Sequence, residues 1–504
     1  MSFQLGQDRL TTASLYQQVI SGSLQFALPT ASRERVKRYR QLVQTALDSG
    51  ETFYGINTGF GYLSDVRIES SKLNQLQDNL VRSHACGVGE YVEPSVVRGL
   101  LLLRAHTFSL GYSGVSEGCL DTILEFLKHD ILPMIPSQGS VGASGDLAPL
   151  AHLALGLIGE GRVLYKGEVM PAKAALEKAG VKPVRLGPKE GLSLINGTQF
   201  MTVEAAIALE EAKILTESAD VIAALSLDAL RGTLKAFDPR IHEIRPHSGQ
   251  KHSAERIRAL FKEHDPIVES HADCSRVQDP YSFRCVPQVH GATYDTLEFV
   301  EKQINTELNS VTDNPLCFET GEILSGGNFH GQPMALAMDF LAIAMAEIGS
   351  ISERRTEKLT NPNLSGLPAF LTRESGLNSG YMIPHVVAAA LVSENKILSH
   401  PASVDSIPTS ADKEDHVSMG PIAALKARRI LKNIANILAI ELLAACQGID
   451  LLAPLQPNPR LKKIYDGVRA LAPEMDTDRS LHDEIKNLST WILDGSLLKC
   501  AEEA

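Results

Sequence analysis

The hydrophobic positions along this chain recur mostly in steps of three and four, as they do on one face of an α-helix. Four long segments carry this period, and the clearest begins near Leu431 and is ended by Pro454. Its apolar positions are Ile434, Leu438, Leu442, Ala445, Ile449 and Leu452. The other three segments run from Met201 to Leu230, from Gly291 to about Val311 and from Pro333 to about Leu359. Segments of this length predict a bundle of long helices.

Strand-like alternation is sparse. Short hairpins are predicted at Arg162 to Gly167 and at Gly321 to Leu324. We therefore expect a mainly α fold, with a long-helix bundle over residues 116–504 and a smaller mixed N-terminal region over residues 1–115 that carries active-site loops. The long stretch expected to be irregular runs from about Pro239 to Gln288, because it is rich in His, Pro, Asp and Ser.

Composition narrows the class of protein. The chain has 504 residues, of which 44% are hydrophobic, which is enough apolar material for a sizeable core. Its 48 Lys and Arg against 60 Asp and Glu give a net charge of −12, which argues against binding to nucleic acid or to anionic membranes. The first residues, MSFQLGQDRL, lack the layout of a signal peptide, and no uncharged apolar run is long enough to cross a bilayer. We expect a soluble, cytoplasmic protein.

Cysteine and histidine spacing bears on metal binding. The seven cysteines include no CxxC pair, and the histidines between residues 242 and 271 show no HExxH spacing. The sequence therefore predicts reduced thiols and no metal site.

Reactive chemistry is indicated by the segment Gly142-Ala143-Ser144-Gly145-Asp146. A tight turn at Gly145 could press its amide nitrogen against the carbonyl carbon of Ala143. Ring closure and the loss of two waters, one from the Ser144 side chain, would give a five-membered ring with an electrophilic methylidene carbon. Composition alone also fits an ordinary Gly/Ser loop in which Asp146 caps the following helix.

A resemblance to a known family favours the first interpretation. The run Gly142 to His152 resembles the signature of the aromatic amino acid ammonia-lyases, whose Ala-Ser-Gly triad forms 4-methylidene-imidazol-5-one. Further segments resemble that family in the same order along the chain: Tyr54-Gly55-Ile56-Asn57-Thr58-Gly59-Phe60-Gly61, Ser83-His84-Ala85-Cys86-Gly87-Val88-Gly89, Asn196-Gly197-Thr198-Gln199, Gln278-Asp279-Pro280-Tyr281-Ser282-Phe283-Arg284-Cys285, Gly326-Gly327-Asn328-Phe329-His330-Gly331, and Ser403 to Met419. The last of these resembles the histidine-specific branch.

The resemblance implies a function. It implies a carbon–nitrogen lyase that eliminates ammonia from L-histidine to give trans-urocanate, the first step of histidine degradation. The prosthetic group would form autocatalytically from Ala143, Ser144 and Gly145, without an external cofactor. The protein would be a homotetramer whose active sites draw residues from more than one chain. The alternatives are a tyrosine or phenylalanine ammonia-lyase, an aminomutase of the same family, and a catalytically silent helical scaffold.

Catalytic roles follow from the resemblance residue by residue. Tyr54 is expected to be the base that removes the β-proton, and a phenol can serve only if nearby donors or positive charge lower its pKa. Tyr281 is assigned to prosthetic-group formation or catalysis. Glu414 is expected to take part in proton transfer as well as in binding.

Binding roles follow in the same way. Arg284 can hold the substrate carboxylate by two parallel hydrogen bonds, and its spacing from Tyr281 places both on one face of a helical turn. The resemblance assigns Gln278 to binding, Asn196 to the prosthetic group and the substrate carboxylate, and Phe329 to the pocket wall. It assigns His84 and Glu414 to the substrate imidazole, whose buried nitrogens need hydrogen-bond partners.

Overall fold

The fold is mainly α, as the sequence predicts. The computed structural model describes residues 2–22, 24–273 and 277–502, and these residues form 21 α-helices and nine short strands. The helices are α1 Thr12–Ser21, α2 Thr30–Asp48, α3 Leu73–His84, α4 Pro94–Ser109, α5 Glu117–His129, α6 Leu147–Leu157, α7 Ala172–Ala179, α8 Glu190–Ile195, α9 Gln199–Ala229, α10 Pro239–Glu243, α11 Ser248–Leu260, α12 Pro266–Glu269, α13 Tyr281–Arg284, α14 Val286–Glu307, α15 Gln332–Thr360, α16 Pro362–Ser365, α17 Met382–Leu398, α18 Gly420–Leu451, α19 Pro459–Leu471, α20 His482–Leu493 and α21 Ser496–Glu502.

The strands are short, and in the described residues they form four small sheets. They are β1 Phe3–Gln4, β2 Phe26–Ala27, β3 Val88–Tyr91, β4 Leu132–Pro133, β5 Pro136–Gln138, β6 Arg162–Tyr165, β7 Glu168–Pro171, β8 Leu316–Cys317 and β9 Ile323–Leu324. β1 pairs with β2 in parallel, and the other pairs are antiparallel: β3 with β5, β4 with β6, β6 with β7, and β8 with β9. The two predicted hairpins are therefore confirmed at β6–β7 and β8–β9.

All four predicted long helices are confirmed, as α9, α14, α15 and α18. The predicted apolar stripe from Ile434 to Ile449 is almost completely buried in α18. α18 ends at Leu451, just before Pro454, so Leu452 lies beyond the helix. The period of the apolar positions thus located these helices because each one buries a face along most of its length.

The prediction of an irregular stretch from Pro239 to Gln288 is wrong. The described residues of this stretch contain α10 to α13 and the first turn of α14. Asp238 and Asp265 each accept hydrogen bonds from the first-turn amides of the helix that follows, and a proline occupies the start of both helices. Asp and Pro act here as helix-start signals, which the polar composition of the stretch concealed.

The chain divides into two compact units. Unit 1 comprises Met1–Ile207, Glu301–Met338 and Pro401–Leu425, and unit 2 comprises Ala208–Val300, Asp339–His400 and Lys426–Ala504. The boundary near residue 115 stays a prediction.

Within the described part of the chain, two helices, α15 and α18, are long and apolar enough to cross a membrane by length and composition. In α18, 89% of the apolar window is buried inside the protein, and in α15 the share is 61%. α18 also carries Glu441, whose buried carboxylate accepts hydrogen bonds from Nε and Nη2 of Arg355 at 2.6 and 2.9 Å. Both are therefore core helices of the fold.

Candidate active site

The Gly142–Asp146 segment forms a turn directly before α6. The amide of Met419 donates to the Val141 carbonyl at 2.9 Å, and Ala143 packs against Val417 and Met419 in a small apolar cluster. Residues 417–419 thus hold the first half of the turn in place.

Gly145 is the most constrained residue of the turn. Its φ is +76°, and a Cβ there would overlap the carbonyl oxygen of Gly197, so only glycine fits. The Gly197 amide donates to the Ser144 carbonyl at 3.2 Å, and the Gly197 carbonyl accepts from the Asp146 amide at 2.8 Å. The amide of Gly145 itself has no hydrogen-bond partner among the described residues. The nitrogen that ring closure requires is therefore not held in a hydrogen bond to these residues.

Asp146 does not cap its own helix. It precedes α6, but its carboxylate accepts from the amides of Phe200 and Met201, at 2.8 and 3.2 Å, at the start of α9. Burial raises the pKa of Asp146 to about 8, although the two amides and the buried Arg104 guanidinium favour the ionised form. Its Oδ1 has no partner among the described residues, so burial outweighs the donors.

Glu414 lies beside Ser144. The Ser144 hydroxyl donates to Glu414 Oε1 at 3.1 Å, while Oε2 accepts from the hydroxyls of Thr409 and Ser410, both at 2.8 Å. Thr409 and Glu414 also pair through their backbones. Glu414 is thus a partly buried carboxylate that accepts hydrogen bonds from three hydroxyl groups.

Tyr54 is held in a glycine-rich turn of the same unit. Its hydroxyl accepts from the Gly61 amide at 3.5 Å, and Gly61 faces Ser410. Burial raises the pKa of Tyr54, the Gly61 amide lowers it, and the charge of Glu414 raises it. The net direction is upward, so a lowered phenol pKa has to come from groups outside these contacts.

His84 occupies the end of α3. Its Nδ1 lies 2.9 Å from the Leu80 carbonyl oxygen and 3.0 Å from the Ser83 hydroxyl. Because a carbonyl can only accept, Nδ1 carries the proton in the neutral ring and Nε2 is left as an acceptor. Burial lowers the pKa of His84, against the opposing effects of the Leu80 carbonyl and Glu414. A neutral imidazole is therefore favoured.

An apolar cavity of about 380 Å³ adjoins His84. It lies between the 59–68 loop and α3, and its lining residues are Gly59, Phe60, Leu63, Val66, Ile68, Leu76, Asn79, Leu80, Ser83 and His84. Mostly apolar walls with a few polar side chains suit a small ring-bearing molecule.

Asn196 follows α8 and is buried. Its side-chain Oδ1 has no hydrogen-bond partner within the described part of the chain, while its backbone carbonyl accepts from Arg104 at 3.1 Å. A buried polar atom without a partner is costly, so this oxygen is available to accept a hydrogen bond from a ligand or a prosthetic group. Phe329 lies partly buried in the turn after β9.

Gln278, Tyr281 and Arg284 belong to unit 2. The Arg284 guanidinium lies 4.7 Å from the centre of the Tyr281 ring, which confirms that the two side chains share one face of α13. Arg284 Nε donates to the Asp279 carbonyl at 2.9 Å, and Tyr281 is 74% exposed. Gln278 is also exposed. The roles assigned to these three residues stay predictions.

Sequence reasoning missed three residues at the site. It also offered Asp146 as a cap for α6, whereas the Asp146 carboxylate caps α9. The missed residues are Thr409 and Ser410, which bind Glu414, and Arg104, which binds the carbonyls of Ser193 and Asn196. The hydroxyl residues just before Glu414 were a usable signal, because short hydroxyl side chains often bond to nearby groups in turns.

The His, Cys, Asp and Glu side chains bear on metal binding and on disulfide formation. No group of three or more His, Cys, Asp or Glu in the described residues could hold a metal ion. None of the six described cysteines forms a disulfide, and Cys274 lies outside the described residues.

This chain is similar to known proteins over most of its length. The family model described as aromatic amino acid lyase matches residues 10–470. A histidine ammonia-lyase of Alkaliphilus oremlandii is 51% identical over 94% of this chain and 93% of its own length. The crystal structure of histidine ammonia-lyase from Trypanosoma cruzi has a TM-score of 0.92 at 43% identity, covering 100% of this chain and 95% of that one.

A tyrosine aminomutase from Streptomyces globisporus has a similar fold, with a TM-score of 0.93 at 36% identity over 100% of this chain and 99% of that one. The family model covers most of this chain, and each of these relatives is matched over more than nine tenths of its own length. The chain belongs to the aromatic amino acid lyase family and is a carbon–nitrogen lyase.

Proposed function

We propose that this chain is a histidine ammonia-lyase that converts L-histidine to trans-urocanate and ammonia. The observation that carries the proposal is the 3.1 Å hydrogen bond from Ser144 Oγ to Glu414 Oε1. It places a carboxylate beside the residue whose Cβ would become the electrophile. The relatives named for histidine, at 43 to 51% identity, support the same substrate.

The residues present fit 4-methylidene-imidazol-5-one formed from Ala143, Ser144 and Gly145. Gly145 is confined by Gly197, its amide is uncommitted, and Asn196 Oδ1 is buried without a partner among the described residues. When formed, the group supplies an electrophilic carbon for the substrate amine or, in the alternative mechanism, for the substrate ring. No external cofactor is needed for this chemistry.

Recognition of the imidazole rests on His84 and Glu414. A neutral His84 with its proton on Nδ1 presents an acceptor at Nε2, and the Glu414 carboxylate is an acceptor as well. Two acceptors suit an imidazole that carries protons on both nitrogens. A substrate phenol could donate a hydrogen bond to His84 only, and a phenyl ring could donate to neither residue. Each buried polar group left without a hydrogen bond costs about 1–3 kcal/mol of binding free energy.

Proton removal is assigned to Tyr54. The Glu414 carboxylate lies close enough for its charge to raise the pKa of this phenol. Because burial raises that pKa in the single chain, the base role requires that the assembled site add donors or positive charge around the phenol. Glu414 is the second group able to hold a proton there.

Binding of the substrate carboxylate is assigned to Arg284, with Gln278 and Asn196 as further binding residues and Tyr281 in prosthetic-group formation or catalysis. Arg284 uses Nε on the Asp279 carbonyl, which leaves its two terminal nitrogens for a carboxylate. Phe329 is assigned to the pocket wall.

We propose a cytoplasmic homotetramer that builds each active site from more than one chain. Unit 2 exposes Phe299, Phe340 and Ile343 along a groove of about 680 Å³. Apolar surface of this kind favours association with another copy. The net charge of −12 favours neither nucleic acid nor anionic membranes as partners.

The proposal is tested by the ultraviolet absorbance of the purified protein with L-histidine, L-tyrosine and L-phenylalanine separately. Each acrylate product absorbs where its amino acid does not, and a rise with histidine is expected. A rise in absorbance only with tyrosine or phenylalanine would show that histidine is not the substrate, while the elimination of ammonia would still be supported. Formation of a β-amino acid would indicate an aminomutase, and an intact mass without the loss of two waters would indicate a silent scaffold.

A further inference from the structure

The two oxygens of the Glu414 carboxylate have different partners. Oε1 accepts a hydrogen bond from the Ser144 hydroxyl at 3.1 Å. Oε2 accepts two hydrogen bonds at 2.8 Å, from the hydroxyls of Thr409 and Ser410. The orientation of the carboxylate is thus defined from both sides.

The backbone between these residues closes a short, tight turn. The Thr409 amide donates to the Glu414 carbonyl at 3.0 Å, and the Glu414 amide donates back at 3.4 Å. Ser410, Ala411 and Asp412 follow one another with φ values of +52, +53 and +65°, a conformation that side-chain-bearing residues rarely adopt. Such a turn persists only where surrounding bonds specify it, and the two hydroxyl bonds to Oε2 do so.

The conversion of Ser144 would change only one side of this arrangement. If Ser144 loses its hydroxyl as water, Oε1 loses its donor, while Oε2 keeps both of its donors. The carboxylate then stays in place and presents a free acceptor toward the reactive carbon. An N–H group of the substrate ring is the donor that would replace the Ser144 hydroxyl.

We propose that Thr409 and Ser410 are positioning residues that hold Glu414 for recognition of a nitrogen-bearing ring. This inference rests on the proposed function, since it requires the conversion of Ser144 and a substrate with a ring N–H. Neither hydroxyl contacts the reacting atoms, and both act through Glu414. Their loss should weaken the binding of rings that carry N–H groups and spare rings that lack them.

The test compares wild type with Thr409→Val, Ser410→Ala, the double variant and Thr409→Ser. For the double variant, we expect KM for L-histidine and the inhibition constant of trans-urocanate to rise about tenfold, with a smaller change in kcat. The inhibition constant of trans-cinnamate, which has a phenyl ring in place of the imidazole, should stay within about twofold. Thr409→Ser keeps the hydroxyl and should behave like wild type.

Thr320→Val is a matched control, because the Thr320 hydroxyl also donates to a glutamate, Glu322, at 2.9 Å in unit 1. It should leave all of these constants unchanged. Intact mass shows whether each variant has lost two waters. If the double variant does not lose two waters, the single variant Ser410→Ala replaces it in the test, because Ser410 is exposed and its substitution should disturb the fold little.

Two results would overturn the inference while histidine turnover by wild type stands. One is unchanged urocanate binding in the double variant, and the other is an equal loss of urocanate and cinnamate binding. Failure of wild type to act on histidine would instead overturn the proposed function, and the inference with it.

Discussion

Gly145 lies against Gly197 so closely that a Cβ at position 145 would overlap the Gly197 carbonyl oxygen. The contact is reinforced by the hydrogen bonds of Gly197 to Ser144 and Asp146, which flank Gly145. Gly145, which would supply the ring nitrogen, therefore also allows the turn to pack against the residues directly before α9.

We expect Gly145→Ala to prevent the loss of two waters and to abolish activity, because the added methyl group forces Gly197 away. Intact mass and the absorbance assay measure both effects. Gly167→Ala is the matched control, since Gly167 also has a positive φ, +80°, but nothing lies within 4 Å of its Cβ position. It should cost about 1–2 kcal/mol of stability and keep activity. Equal behaviour of the two variants would contradict a specific role for the Gly145–Gly197 contact.

Ser144→Ala should fold and assemble but lose turnover by about a thousandfold or more, because no methylidene can form without the hydroxyl. Turnover of L-histidine and intact mass are the measurements. Full activity with no loss of two waters would rule out the proposed prosthetic group.

Glu414→Gln keeps the shape of the side chain and removes its charge. We expect kcat/KM for L-histidine to fall about tenfold or more, since a hydrogen bond to a charged group contributes about 1.5–3 kcal/mol. Any turnover of L-phenylalanine should fall less, because a phenyl ring makes no hydrogen bond to the carboxylate. Equal losses for both amino acids would argue that Glu414 serves proton transfer rather than ring recognition.

Tyr54→Phe removes only the phenol hydroxyl. A lost general base should lower kcat by about 10²–10⁴-fold with little change in KM. Because burial raises the pKa of Tyr54 in the single chain, kcat/KM of wild type should rise with pH until the phenol ionises, and this limb should vanish in the variant. Tyr62→Phe, at an exposed residue of the same loop, is the control and should match wild type.

Asp146→Asn tests the buried carboxyl. Its folded-state pKa of about 8 lies above the usual value near 4, so the folded protein holds a proton that the unfolded chain releases between these pH values. The contribution of Asp146 to the free energy of unfolding is therefore largest below about pH 4 and falls as pH rises to about 8. We expect the Tm of wild type relative to the variant to fall from pH 5 to pH 8, measured by thermal scans at about these two values. A pH-independent Tm difference would show that Asp146 is ionised throughout.

Local patterns in the sequence predicted much of the fold and the reactive residues. The apolar period located α9, α14, α15 and α18, because a helix buries one face at a spacing of three and four residues. The Gly142–Asp146 segment identified the reactive turn, since the chemistry needs adjacent residues. For the stretch from Pro239 to Gln288, the polar composition wrongly predicts irregular structure, because the signals that start its helices are themselves polar residues.

Only the tertiary structure decided which distant groups meet. Spacing along the chain could not place Ser144 beside Glu414, nor show that Thr409 and Ser410 orient that carboxylate. Asp146 is adjacent to α6 in sequence, yet it caps α9, because the pairing of Gly145 with Gly197 brings the first amides of α9 to its carboxylate. The identity of the reactive residues is thus local, while their partners, burial and pKa shifts depend on segments that folding brings together.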